Sequence, residues 1–129
     1  MGSLFNDWPD GEARKAAALA LLEARRGRLV RRGRRALIDK LLADGAGTID
    51  DVRAAVPVPP GVNPKAFGAV PGPLAKDKII RPAGFARTAR AAGHARPVTV
   101  WELIDPPAAV AWLAANPDLP DAEAAGGAA

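Results

Sequence analysis

The chain has 129 residues and a net charge of +4, and 49% of it is hydrophobic but only 5% aromatic. That suits one domain with a modest core, and leaves few bulky residues with which to line a large substrate cavity. The absence of cysteine and a single histidine, His94, exclude disulfides, thiolate metal sites and multi-histidine sites. A carboxylate-only Mg²⁺ site is the one metal chemistry left open, and no metal or other cofactor is expected.

Residues 6–10, Asn6-Asp7-Trp8-Pro9-Asp10, read as a capping and turn cluster ahead of the first helix. Residues 12–26 are strong helix formers, with Leu19, Leu22 and neighbouring alanines on one stripe. Gly27 and Gly33 leave two readings open: one long helix reaching Ala43, or two helices with a bend. The clearer helix covers residues 31–43, where Ala36, Leu37, Ile38, Leu41 and Leu42 supply an apolar face and Gly45 and Gly47 stop it. Thr48 then offers an N-cap with Asp51 three residues on, the spacing of a capping box, and Ile49, Val52 and Val56 repeat at helical intervals. Pro57, Pro59 and Pro60 end that short helix. Asn63 caps a third helix with Pro64 at its first position, and Phe67, Val70 and Leu74 form its apolar side. Pro71 and Pro73 predict a break near residues 70–72, because an interior helix proline costs about 3 kcal/mol. A second helical piece runs on through Lys78.

A strand begins at Ile79-Ile80-Arg81-Pro82, loop or strand covers residues 85–90, and Ala91-Ala92-Gly93 forms a flexible tip. Residues 97–104 are the strongest strand, rich in β-branched and aromatic types, and the two strands make a hairpin around a long basic loop. Asp105 caps a last helix over residues 106–115, whose Val110, Trp112 and Leu113 can pack on the domain. Asn116-Pro117 ends it and a disordered tail follows. Trp101 and Phe85 read as core residues. The class is α+β, mainly α, divided into an N-terminal helical extension (1–30), a domain (31–104), a C-terminal helix (105–117) and a tail (118–129).

Positive charge is concentrated. Residues 25–40 carry eight bases against one acid and residues 64–100 seven against one, while residues 101–129 carry five acids and no base. Such segregation suits a polyanionic partner on one surface; the alternative is that the arginines merely solvate helix faces. No apolar run is long enough to cross a bilayer, and residues 1–8 show neither a basic head nor an apolar segment. A cytoplasmic protein without a signal peptide is therefore expected.

The order of elements from residue 31 to 104, the run Thr48-Ile49-Asp50-Asp51-Val52 before the second helix, and the run Ala75-Lys76-Asp77-Lys78-Ile79-Ile80 entering a strand together resemble the winged helix-turn-helix family. The stretch of residues 87–101, from Arg87 to Trp101, is similar to the wing tip and return strand of small phage and bacterial members. The resemblance implies a three-helix core, a two-stranded wing and duplex DNA as partner, with a role in transcription regulation or as an accessory factor. The third helix would lie in the major groove and the wing on phosphate or the minor groove. Carried over, the groove-facing candidates are Asn63, Lys65, Lys76 and Lys78, and the wing candidates are Arg87, Thr88, Arg90, His94 and Arg96. Arg31, Arg34 and Arg35 of the first helix are further phosphate candidates. Each lysine or arginine contact to phosphate releases counterions.

A second class of function stays open. Winged-helix folds also serve as protein–protein adaptors, and the proline break in the third helix and the acidic C-terminus favour that use. The alanine-rich N-terminal helix could pair with a copy of itself in a homodimer. No enzyme is expected, since the sole histidine has no plausible nucleophile beside it, and no small-molecule substrate is implied. Asp50 and Asp51 read as helix-capping residues without a matching acidic cluster, and the phosphate-binding pattern Gly-x-x-x-x-Gly-Lys-Ser/Thr is absent.

Overall fold

A computed structural model describes residues 3–87 and 96–118. It is α+β and mainly helical, with one small antiparallel sheet. Helix α1 spans Ser3–Asp44, 42 residues, or about 63 Å at 1.5 Å per residue. This settles the open reading in favour of one continuous helix. The cluster at residues 6–10 is not a turn, because α1 runs through it and Pro9 is absorbed within the helix.

Two glycines are tolerated in α1 for different reasons. A Cβ on Gly27 would meet nothing within 4 Å, so there the helix carries only the propensity cost of about 1 kcal/mol. A Cβ on Gly33 would lie 2.7 Å from Val70 Cγ2, so glycine lets another element cross close to the helix axis. Among the α1 side chains described, those of the C-terminal half build the core: Leu29, Val30, Leu37, Ile38 and Leu41 are buried, whereas residues 12–20 are exposed. The helix ends at Gly45, whose φ of +82° a glycine adopts without strain, its N–H donating to the Leu41 carbonyl at 2.8 Å.

Strand β1, Ala46–Gly47, follows at once. Helix α2, Ile49–Ala55, opens with the expected capping box: the Asp51 N–H donates to Thr48 Oγ1, and the Thr48 N–H donates to Asp51 Oδ2 at 2.8 Å. The third helical segment is broken as its prolines predict. It consists of a 3-10 helix, Pro64–Ala69, capped by Asn63, and a six-residue helix α3, Pro71–Lys76. In an unbroken α-helix the Ala69 carbonyl would accept from the N–H of residue 73, which proline lacks. Arg34 of α1 donates to it instead, Nη2 to the Ala69 oxygen at 2.8 Å, and Nε donates to the Val70 oxygen at 3.1 Å.

Strand β2, Ile80–Arg87, and strand β3, Pro97–Leu103, pair antiparallel, and β1 pairs with the other edge of β3, giving the order β1-β3-β2. The sheet is thus three-stranded rather than a two-stranded wing, because Ala46 and Gly47 align with Glu102 and Trp101. Pro82 is accommodated because β2 is an edge strand. The β2–β3 register slips by one residue: Pro82 faces Trp101 and Gly84 faces Val100, leaving Ala83 as the extra residue of a bulge, with Gly84 at φ +130°. Helix α4, Pro106–Ala115, is capped by Asp105, whose Oδ1 accepts from the Ala108 N–H at 3.1 Å.

The core gathers Leu29, Leu37, Ile38 and Leu41 of α1 around Val52, Phe67, Val70, Leu74 and Ile80, all no more than 1% exposed. Trp101, Leu103, Trp112 and Leu113 pack around its rim. No helix among the described residues is long and apolar enough to cross a membrane.

Candidate nucleic-acid interface

The basic residues singled out from the sequence fall into three structural groups. Asn63 and Lys65 lie at the start of the 3-10 helix, both exposed. The Asn63 side chain is occupied, since its Oδ1 accepts from the Lys65 N–H at 2.9 Å. Lys76 and Lys78 lie at the other end of the broken segment, exposed, where α3 turns into β2.

That turn has an uncommon backbone. The Ile79 N–H donates to the Leu74 carbonyl at 2.9 Å and the Lys78 N–H to the Ala75 carbonyl at 3.0 Å, the paired bonds of a Schellman C-cap. The residue that must then be left-handed is Lys78, at φ +60°. Glycine is usual at this position, and a side chain there costs roughly 1–2 kcal/mol. A lysine held at a glycine position, with its ammonium in solvent, is the kind of local cost that collects at functional sites.

The hairpin supplies the second group. Arg87 ends β2 opposite Pro97, and Arg96 directly precedes Pro97, so both arginines stand at the outer end of the described strands, exposed. Thr88, Arg90 and His94, with the tip at residues 91–93, lie outside the described residues. Arg81, further down the hairpin, is paired across the strands with Glu102.

The arginines of α1 form the third group, and two of them are turned inward. Arg34 holds the 3-10/α3 junction, and partial burial pushes its guanidinium pKa below the usual value. Arg35 Nη1 donates to the Leu113 and Asn116 carbonyls at 2.9 and 2.8 Å, which caps the C-terminus of α4 and ties it to α1. Arg32 pairs with Asp118 at 2.9 Å, so the first residue of the expected tail is held to the domain; residues 119–129 lie outside the described residues. Arg31 is half-buried. The α1 arginines are therefore not one uniform solvated face.

Phe85 corrects an expectation. It is 76% exposed rather than core. The bulge puts it opposite Thr99, two residues before Arg87. Strand alternation places Phe85 and Arg87 on the same face of the hairpin. Sequence reasoning missed it because an aromatic in a strand pattern normally marks the buried face; Pro82 and Gly84 were the signals that the strand had left the core. Trp101 does pack against the core, as expected.

Between the 3-10 helix and β3 lies a 190 Å³ groove lined by Ile49, Phe67, Gly68, Pro71, Val98, Thr99 and Trp101, largely apolar. Among the described residues no three histidine, cysteine or acidic side chains are grouped as a metal site would need. No protein-family model matches the chain, and no curated protein or solved structure was found to match it.

Proposed function

We propose that the chain is a non-enzymatic winged helix-turn-helix protein that binds duplex DNA, as a regulator or an accessory factor. What carries the reading is the order of elements around exposed bases. Helix, short strand, helix, broken helix and hairpin follow one another, and β1 pairs with β3 to hold the hairpin against the helices. Lys76 and Lys78 end the third helical segment just before the hairpin begins, and Arg87 and Arg96 stand further out along it. In this reading Lys65, Lys76 and Lys78 face the groove and Arg87, Arg90, His94 and Arg96 contact phosphate or the minor groove. Phe85 adds an apolar contact beside them. Arg34 and Arg35 serve the site indirectly, by fixing the third segment and α4 on α1.

The test is fluorescence anisotropy with a labelled random-sequence duplex across a salt series. The wild type is expected to bind, with affinity falling steeply as salt rises. Arg87→Ala/Arg90→Ala/Arg96→Ala is expected to bind more weakly and with a shallower salt slope. No binding at low salt would overturn the reading. A protein–protein adaptor then becomes the better one, favoured by the six-residue α3, too short to read a groove alone, and by the apolar groove beside Trp101.

A further inference from the structure

Between Glu12 and Arg28 no residue of α1 is buried. Residues 12–20 are exposed, Leu19 is 64% exposed and Leu22 38%. Contact with the domain resumes around Leu22, whose Cδ2 would lie 3.2 Å from a Cβ on Gly61, and at Arg25, which donates to the Pro60 carbonyl at 3.2 Å. Short helices without tertiary packing are marginal in water, because most helical stability in proteins comes from packing an amphipathic face.

The sequence of the N-terminal half of α1 carries a seam. Counting along a continuous helix, positions 5, 8, 12, 15, 19 and 22 alternate three- and four-residue steps, the spacing of a two-helix interface. They are occupied by Phe5, Trp8, Glu12, Lys15, Leu19 and Leu22. The two charged positions stand in the middle, with apolar positions outside them. A parallel copy in register would oppose Glu12 to Glu12 and Lys15 to Lys15. An antiparallel copy whose twofold axis passes between residues 13 and 14 opposes Glu12 to Lys15 twice, position 8 to position 19 twice, and position 5 to position 22 twice. Every seam position then meets a complement. In the same register the partner's residue 3 lies beside residue 24, so the partner helix ends at the level where Leu22 and Arg25 meet the loop at Pro60 and Gly61, ahead of the buried part of α1, which begins at Leu29.

We propose that the projecting half of α1 is a self-association surface, on which residues 5–22 of two copies pair antiparallel with Glu12 and Lys15 as reciprocal ion pairs at the centre. The pairing is independent of nucleic-acid binding. An interface of about five turns, with charges at its centre, gives a reversible dimer rather than an obligate one.

Sedimentation equilibrium of the full chain tests it, with circular dichroism to show that each variant keeps its helix. The mass is expected to rise with concentration from the monomer's 13.3 kDa towards twice that value. Leu19→Lys, at an exposed position that the fold does not need, is expected to raise the dissociation constant by about tenfold or more. Glu12→Lys alone is expected to do the same, by opposing two lysines, and Glu12→Lys/Lys15→Glu to return it to within about threefold of wild type, because the reversed pairs match again. A monomer at every concentration up to about 1 mM, a dimer indifferent to Leu19→Lys, or a double variant no better than Glu12→Lys would each overturn the proposal.

Discussion

Replacing Gly33 with alanine tests how closely the third helical segment crosses α1. In a helix with open space around it the change stabilises, by about 0.8–1.0 kcal/mol, through helix propensity alone. Gly33 has no such space. The added Cβ would stand 2.7 Å from Val70 Cγ2, 3.4 Å from Val52 Cγ1 and 3.5 Å from Phe67 Cδ1. The first distance is roughly 1.3 Å inside an ordinary carbon–carbon contact of about 4.0 Å. Val70 is fully buried and its branched side chain is stiff, so relief requires α1 to move away from the 3-10/α3 junction. Overpacking of that kind costs about 1–3 kcal/mol. The net expectation is a destabilisation of about 1 kcal/mol, which in a domain of this size lowers the melting temperature by roughly 4 °C. Gly27, six residues earlier on the same helix, is the internal control, because nothing lies within 4 Å of its Cβ position. Gly27→Ala is expected to stabilise by about 0.8–1.0 kcal/mol. Urea denaturation followed by circular dichroism at 222 nm measures both. Equal stabilisation by the two substitutions would refute the close crossing, and with it the placement of Lys76 and Lys78 relative to α1.

Lys78→Gly is expected to raise stability by about 1 kcal/mol by relieving the left-handed backbone, while weakening duplex binding in the anisotropy assay; a loss of stability would show that the strain is not there. Arg34→Met removes two hydrogen bonds to the Ala69 and Val70 carbonyls and should cost about 1–3 kcal/mol in urea denaturation. Thr48→Ala breaks the capping box and should cost about 1 kcal/mol of thermal stability, with Thr48→Ser close to wild type. Phe85→Ala should change stability by less than about 0.5 kcal/mol and reduce duplex affinity severalfold, whereas a large stability loss would contradict its exposure.

The parts of the fold legible in the sequence are those set by neighbours along the chain. Thr48 with Asp51, Asn63 with Pro64, and Asp105 with Pro106 announce helix starts because capping is a contact over two or three residues. Pro71 and Pro73 announce the break because a missing N–H is a property of the residue itself. The parts that were not legible depend on distant partners. Whether Gly33 bends a helix or admits a neighbour depends on Val70, 37 residues away. Strand β1 is two residues long and contains a glycine, so only its alignment with β3 defines it. Charge patterning found the basic segments but could not separate Arg34 and Arg35, which cap backbone carbonyls inside the molecule, from Lys76, Lys78, Arg87 and Arg96, which stand in solvent. Phe85 misled for the same reason, since burial belongs to the sheet and not to the residue.

The extra residue in β2 works as a phase shift in a two-beat pattern. Below Ala83, Ile80 and Pro82 stand opposite Leu103 and Trp101; above it, Phe85 and Arg87 stand opposite Thr99 and Pro97. All eight therefore share one side of the sheet, the side on which Ile80 and Trp101 meet the core. Were Ala83 drawn into the ladder as an ordinary pair, unbroken alternation would carry Phe85 and Arg87 to the back of the hairpin, whereas deleting it would remove the bulge and leave both on the core side. The direction in which this molecule presents its hairpin is thus encoded by whether a count is odd or even.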